Sequence, residues 1–227
     1  MSLVADNVSF SYQDGHEILK DFSLSVDPNE RVALQAPSGT GKTTLCQLLA
    51  GYLRPQAGEV LVDGAPVLNR RGLLRRVPAG PRPVQLIRQH PEQAFDPLVR
   101  LGRSVTEGLL FSDGTTQAKR GRNDRALEQL RASGLLERFG VREAWLGRFP
   151  HELSGGELMR LCLVRALLAQ PRYLVCDEMT AMLDAVTQAA LWREVLEIAD
   201  RRAMGLVIVS HSPALVRRLA TRIAPLA

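Results

Sequence analysis

Apolar and polar residues alternate from Leu3 to Phe10 and again from Ile18 to Val26. That period of two predicts a pair of half-buried strands. Gln13-Asp14-Gly15-His16 between them carries turn chemistry. Arg31-Val32-Ala33-Leu34-Gln35 reads as a buried strand, followed by a Gly-rich loop and a helix from about Lys42 to Ala50, which Gly51 stops. Gly58 to Gly64 and Val84 to Ile87 predict two further strands. From about Pro97 to Leu168 the spacing turns helical, as in Ala126-Leu127-Leu130 and Leu135-Leu136, with a polar break from Asp113 through Asn123. Tyr173-Leu174-Val175-Cys176 returns to strand chemistry. A helix from about Ala185 to Ala203, a strand Leu206 to Val209 and a helix from about Pro213 complete the pattern. Strands alternating with helices predict an α/β fold with a mostly parallel sheet, into which the helical middle is inserted.

Three places carry candidate chemistry. Ala36-Pro37-Ser38-Gly39-Thr40-Gly41-Lys42-Thr43 lies between a buried strand and a helix. Glycines there let the backbone approach an anion, successive N–H groups form a concave anion site, and the helix adds its positive end. Lys42 can reach terminal phosphates and Thr43 can ligate Mg²⁺. Ala36 stands where the strict pattern has Gly, which costs something only if that residue needs a positive φ. Second, the strand at Tyr173 ends in Asp177-Glu178. A strand terminus of a parallel sheet is where ligands bind. The pleat would aim the two carboxylates to opposite sides, Asp177 toward a metal and Glu178 as general base. Third, Leu153-Ser154-Gly155-Gly156-Glu157 opens an apolar helical run, with Ser154 as N-cap, and forms a second helix terminus suited to an anion.

Composition narrows this picture without redirecting it. The chain has 227 residues, enough for one large domain, and a net charge of +5. The excess is arginine, with Arg70, Arg71, Arg75, Arg76 and Arg82 in one Gly/Pro-broken stretch. No aromatic residue interleaves there to stack bases, so a solvated loop is the expectation ahead of a nucleic-acid surface or a face toward anionic lipid. There is no apolar run long enough to span a bilayer, and the start lacks the regions of a signal peptide. Cys46, Cys162 and Cys176 are widely spaced among apolar residues and read as reduced core thiols.

Taken together, these motifs make the chain resemble an ATP-binding-cassette (ABC) ATPase over nearly its whole length. Ala36 to Thr43 resembles the Walker A loop, Leu153 to Glu157 the family signature, and Asp177-Glu178 the Walker B aspartate and catalytic glutamate. Met182-Leu183-Asp184 resembles the D-loop, Gln89 falls at the Q-loop position, His211 at the switch histidine, and Tyr12 at the aromatic that stacks on adenine. Met179 stands where Pro, Ala or Ser is usual, with no chemical role to assign.

The resemblance implies a P-loop NTPase (RecA-like) core with an N-terminal antiparallel β subdomain and an inserted α-helical subdomain. The core would be 1–95 and 165–227, the insert about 96–164. It implies ATP and Mg²⁺ as ligands. Nucleotide contacts would come from Tyr12, Ala36, Pro37, Ser38, Gly39, Thr40, Gly41, Lys42, Thr43, Thr44, Ser154, Gly155, Gly156, Glu157 and Asp184. Thr43, Gln89 and Asp177 would ligate the metal, with Glu178, His211 and Gln89 as the catalytic set. It also implies a second ABC ATPase subunit arranged head to tail, identical or not, and transmembrane permease subunits gripped near His90 to Arg100. An extracytoplasmic substrate-binding protein and a place on the cytoplasmic face of the cell membrane complete the expectation. Gln85 to Pro97 and Asp184 to Gln188 look similar to the oligopeptide, dipeptide and nickel importer group. The rival reading is a soluble repair or translation ATPase. Against it, the stretch between the Walker A loop and the signature lacks sustained heptads, and the chain shows one cassette.

Overall fold

A computed structural model describes residues 2–12, 15–37, 39–68, 82–110 and 122–226. The turn residues Gln13 and Asp14, the loop residue Ser38, the arginines Arg70, Arg71, Arg75 and Arg76, and the polar break at 113–121 lie outside them. β1 (Leu3–Ser11) and β2 (Glu17–Val26) pair antiparallel, and β1 also pairs antiparallel with β4 (Ala57–Val62). The short β5 (Ala65–Pro66) completes a four-stranded sheet of order β2-β1-β4-β5.

The second sheet contains β3 (Arg31–Gln35), β6 (Val84–Ile87), β7 (Tyr173–Asp177), β8 (Gly205–Val209) and β9 (Arg222–Pro225). Its order is β6-β7-β8-β3-β9, and every pair is parallel. All five residues of β7 and of β8 are buried, which is why both read as unbroken apolar runs. Alternate residues feed two different cores. Ala33, Leu174, Cys176, Leu206 and Ile208 face a cluster built with the helices. Val32, Leu34, Val175, Val207 and Val209 face a cluster shared with the antiparallel sheet and α1 (Lys42–Leu49). The parallel sheet is therefore the middle layer.

The helical side holds α2 (Leu101–Leu110), α3 (Arg122–Ala132), α4 (Leu135–Arg138), α5 (Gly155–Leu168), α6 (Ala185–Arg202) and α7 (Pro213–Leu219). α5 is apolar on nearly all sides, because it packs on α2, α4, β6 and the 3-10 turn Pro91–Ala94 together. α6 buries a stripe of Leu191, Trp192, Val195, Ile198 and Ala199. Arg138 at the end of α4 clamps to α6 through Glu194 and Glu197, both at 2.9 Å.

The structure differs from the sequence-based expectation in several places. The helical stretch begins as the 3-10 turn at Pro91, not at Pro97. Asn123 lies inside α3, not in the polar break. β9 was not foreseen, because it is a short edge strand containing Pro225, which only an edge tolerates. Arg82 is not a free loop cation: its guanidinium lies 4.8 Å from the Tyr52 ring centroid and donates to the carbonyls of Ala50 and Gly51. There it complements the carbonyl end of α1. Among the described residues no helix is long and apolar enough to cross a membrane.

Candidate functional site

Parallel strands all deliver their carboxyl ends to one edge of the sheet, and the loop after β3, Asp177-Glu178 at the end of β7, His211 after β8 and Gln89 after β6 all lie at those ends. The phosphate-type loop leaves β3 after Gln35 and enters α1 at Lys42. Gly39 and Gly41 sit at φ 81° and 91°, which side chains rarely adopt. A Cβ on Gly41 would also lie 2.6 Å from Ile18 Cγ2 on β2. Gly41 is the N-cap of α1 and has no side chain to bond the first-turn N–H groups. Ala36 is not among the residues at positive φ, so its backbone does not require glycine. The Lys42 side chain is buried, and its ammonium donates to the carbonyls of Ala36 (2.9 Å) and Pro37 (2.6 Å). The Thr40 hydroxyl donates to the same Pro37 carbonyl at 2.8 Å.

Asp177 closes β7 and is only 5% exposed. Burial pushes its pKa up, the Thr43 hydroxyl hydrogen bond opposes this, the Glu178 charge adds to the rise, and Lys42 and Arg88 pull it back. Thr43 and Asp177 thus bring a hydroxyl and a carboxylate together beside the loop. Hard oxygen donors of this kind fit Mg²⁺ completed by phosphate oxygens and water. Among the described residues no cluster of three His, Cys, Asp or Glu could hold a metal by itself.

Glu178 corrects the pleat argument. It lies beyond the strand, in the left-handed region at φ 51°, so its direction comes from a turn and not from strand alternation. Its N–H donates to the Val209 carbonyl at 3.1 Å, which ties the turn to the end of β8. His211 Nε2 then meets Glu178 Oε1 at 2.7 Å. On the other flank, Ile87 of β6 is in register with Cys176, so the half-buried Gln89 leaves the sheet beside Asp177. Tyr12, just past β1, is half-exposed, stands edge-on to Phe10, and shares a 3.2 Å hydrogen bond with the Thr44 hydroxyl of α1.

Ser154 and Asp184 cap two other helices. Ser154 forms a capping box with Glu157 at the start of α5. Asp184 accepts from Val186 N (3.0 Å) and Thr187 N (2.9 Å) at the start of α6. The Thr187 hydroxyl, and then the Thr187 and Val186 N–H groups, hold the Asp184 carboxyl below its usual pKa. A Cβ on Gly156 would lie 3.3 Å from Leu183, so this terminus borders the Met182-Leu183-Asp184 segment. Among the described residues, no hydrogen bond or ion pair joins Ser154–Glu157 to the loop at 36–44.

Sequence reasoning passed over two features. Thr180 is buried and its hydroxyl accepts from Gln188 Nε2 (2.8 Å) and Trp192 Nε1 (3.1 Å), fastening the segment after Glu178 to α6. An indole N–H on the apolar stripe of a helix was the available signal, because a buried Trp needs a partner. Met179 is 2% exposed and packs into the helical core, which gives the unusual residue a packing role. The three cysteines are buried and unpaired, as their apolar settings predict.

Comparison with known proteins follows this geometry closely. A sequence model of the ABC transporter family matches residues 19–181. The chain is 33% identical over 207 residues to the nickel import ATP-binding protein NikE of Pseudomonas putida, covering 91% of this chain and 72% of that protein. It is 31% identical to a putative peptide import ATP-binding protein of Brucella abortus, covering 90% of this chain but only 58% of that longer protein. It is 35% identical to the energy-coupling factor transporter ATP-binding protein EcfA2 of Symbiobacterium thermophilum, covering 98% and 74%. A solved dimeric ATP-binding cassette, in a post-hydrolysis state with ADP and Pi, superposes with a TM-score of 0.77 at 25% identity. That match covers 99% of this chain and 94% of the other.

Proposed function

The chain belongs to the ABC transporter family, as a nucleotide-binding subunit that binds and hydrolyses ATP, and we propose that it drives an importer from the cytoplasmic face of the cell membrane. The cargo class we propose is a peptide, nickel or a metal chelate, because two of the relatives named above are import ATP-binding proteins for nickel and for peptides. Its partners in this reading are a second cassette, identical or not, transmembrane permease subunits, and an extracytoplasmic substrate-binding protein. We place the nucleotide-binding core at 1–95 and 165–227 and the permease-facing helical part at about 96–164.

The observation that carries the mechanism is the 2.7 Å contact between Glu178 and His211 next to Asp177, at the edge where the loop ends. Lys42 turns from the Ala36 and Pro37 carbonyls to the terminal phosphates, and the amides around Gly39 to Thr43 cradle them. Tyr12 stacks on the base, held to α1 by Thr44. Mg²⁺, held by Thr43, Asp177 and Gln89, would neutralise phosphate charge. Glu178 takes the proton of the attacking water, and His211 keeps that carboxylate oriented. Ser154, Gly155 and Gly156, with Asp184 nearby, face the γ-phosphate bound by the other cassette, so ATP closes the pair and hydrolysis releases it.

The test is Glu178→Gln. ATP binding should persist while turnover falls by roughly 10²–10⁴-fold. Normal turnover in that variant removes Glu178 from the mechanism.

A further inference from the structure

A helix N-terminus that is to meet a phosphate ought to offer free donors, but the one at α5 already holds an anion. Glu157 Oε2 accepts from the Ser154 N–H at 2.8 Å and from the Ser154 hydroxyl at 2.9 Å. The same hydroxyl accepts weakly from Glu157 N at 3.4 Å, so the serine is engaged as donor and acceptor. Bonds from Ser154, and then the charges of Arg142 and Arg148, keep the Glu157 carboxyl below its usual pKa, so it is ionised at neutral pH. Ser154 itself is exposed and Glu157 only partly so.

We propose that Glu157 sets the ATP demand of cassette closure: its carboxylate occupies the Ser154 donors and repels the incoming γ-phosphate, so closure needs more ATP than the fold alone would require. The inference rests on the reading above, in which Ser154 to Gly156 receive a phosphate from the opposite cassette. A glutamine at the same position still completes the capping box. It would accept from the Ser154 N–H through its carbonyl and turn an amide N–H₂ donor, not a charge, toward the phosphate. Toward the phosphate the difference between the two residues is electrostatic, and the lost charge at the helix terminus costs the fold only about 0.3–1 kcal/mol. One unit charge a few ångströms away in a half-exposed setting corresponds to about tenfold in affinity.

The full chain is compared as Glu178→Gln, which slows turnover, with and without Glu157→Gln, and MgATP-dependent association is followed by sedimentation. The expected result is a half-saturating MgATP concentration about tenfold lower with Glu157→Gln, with the melting temperature of the nucleotide-free protein lowered by no more than a few degrees. An unchanged or higher half-saturation overturns the proposal. Ser154→Ala reports on the underlying reading. If association is indifferent to Ser154→Ala while ATP still binds, the cross-cassette contact fails, whatever Glu157 does. If the isolated chain does not associate, titration with inorganic phosphate decides, read from the amide shifts of Gly155 and Gly156. Tighter phosphate binding by Glu157→Gln supports the proposal, and equal binding overturns it.

Discussion

The starts of α1 and α5 look alike in sequence and are built in opposite ways. α1 follows a Gly-containing loop and α5 opens on Gly155-Gly156, and both point a positive helix end away from an apolar run. At α1 the cap is Gly41, which brings no side chain, and the nearest cation is Lys42, folded onto loop carbonyls. At α5 the cap is Ser154, and Glu157 closes the terminus with its own carboxylate. The first terminus is left uncapped by its own side chains. At the second, the Ser154 N–H and hydroxyl are already engaged within the single chain. In the proposed mechanism that difference would let one chain hold ATP at one helix and keep the other for a later event.

The sharpest way to break the contrast is to remove the charge from the open terminus. Lys42→Ala takes away the side-chain cation that the structure places on the loop carbonyls of Ala36 and Pro37. ATP affinity, measured by calorimetry, should fall by at least about 100-fold, as expected when a desolvated charge pair worth about 3 kcal/mol is lost. Unchanged affinity would show that the phosphates sit elsewhere.

A smaller effect is expected from Gly41→Ala. The new methyl would meet Ile18 at 2.6 Å and force a φ of 91° on an L-residue. Strain of about 1–3 kcal/mol is the ordinary cost of such a conformation, so the melting temperature should fall by several degrees and ATP binding should weaken with it. A variant with normal stability and affinity would mean that the loop can relax away from β2, and that the open terminus is not held as rigidly as described.

Much of this was legible because it follows local rules. A buried strand, a Gly-rich loop and a helix, or Ser with Glu three positions on, are read within a few residues of sequence. What was not legible depends on residues far apart in the chain. The left-handed turn at Glu178 is fixed by Val209, and its orientation by His211. The Tyr12–Thr44 bond and the Thr180–Trp192 bond each join separate elements. Strand alternation misplaced Glu178 because the strand stops one residue before it. The Arg138 clamp on α6 was invisible for the same reason: no spacing rule pairs α4 with α6.

The smallest expected effect belongs to the one residue of the loop that departs from the usual pattern. Ala36 occupies a position where such loops begin with Gly, and a strained Ala would predict that Ala36→Gly improves the site. The geometry predicts the reverse. Ala36 is not at positive φ, and it packs against the core shared by α1 and the antiparallel sheet. Glycine would relieve nothing in the folded chain and would add freedom to the unfolded one. Ala36→Gly should therefore lower stability by about 0.4–1 kcal/mol, seen as a drop of about 1–4 °C in melting temperature. The Lys42 ammonium bonds the carbonyl of residue 36 and not its side chain, so ATP affinity should stay as it is. A clear gain in either quantity would show that the open terminus is strained at its entrance, and that the contrast with α5 begins before Gly39.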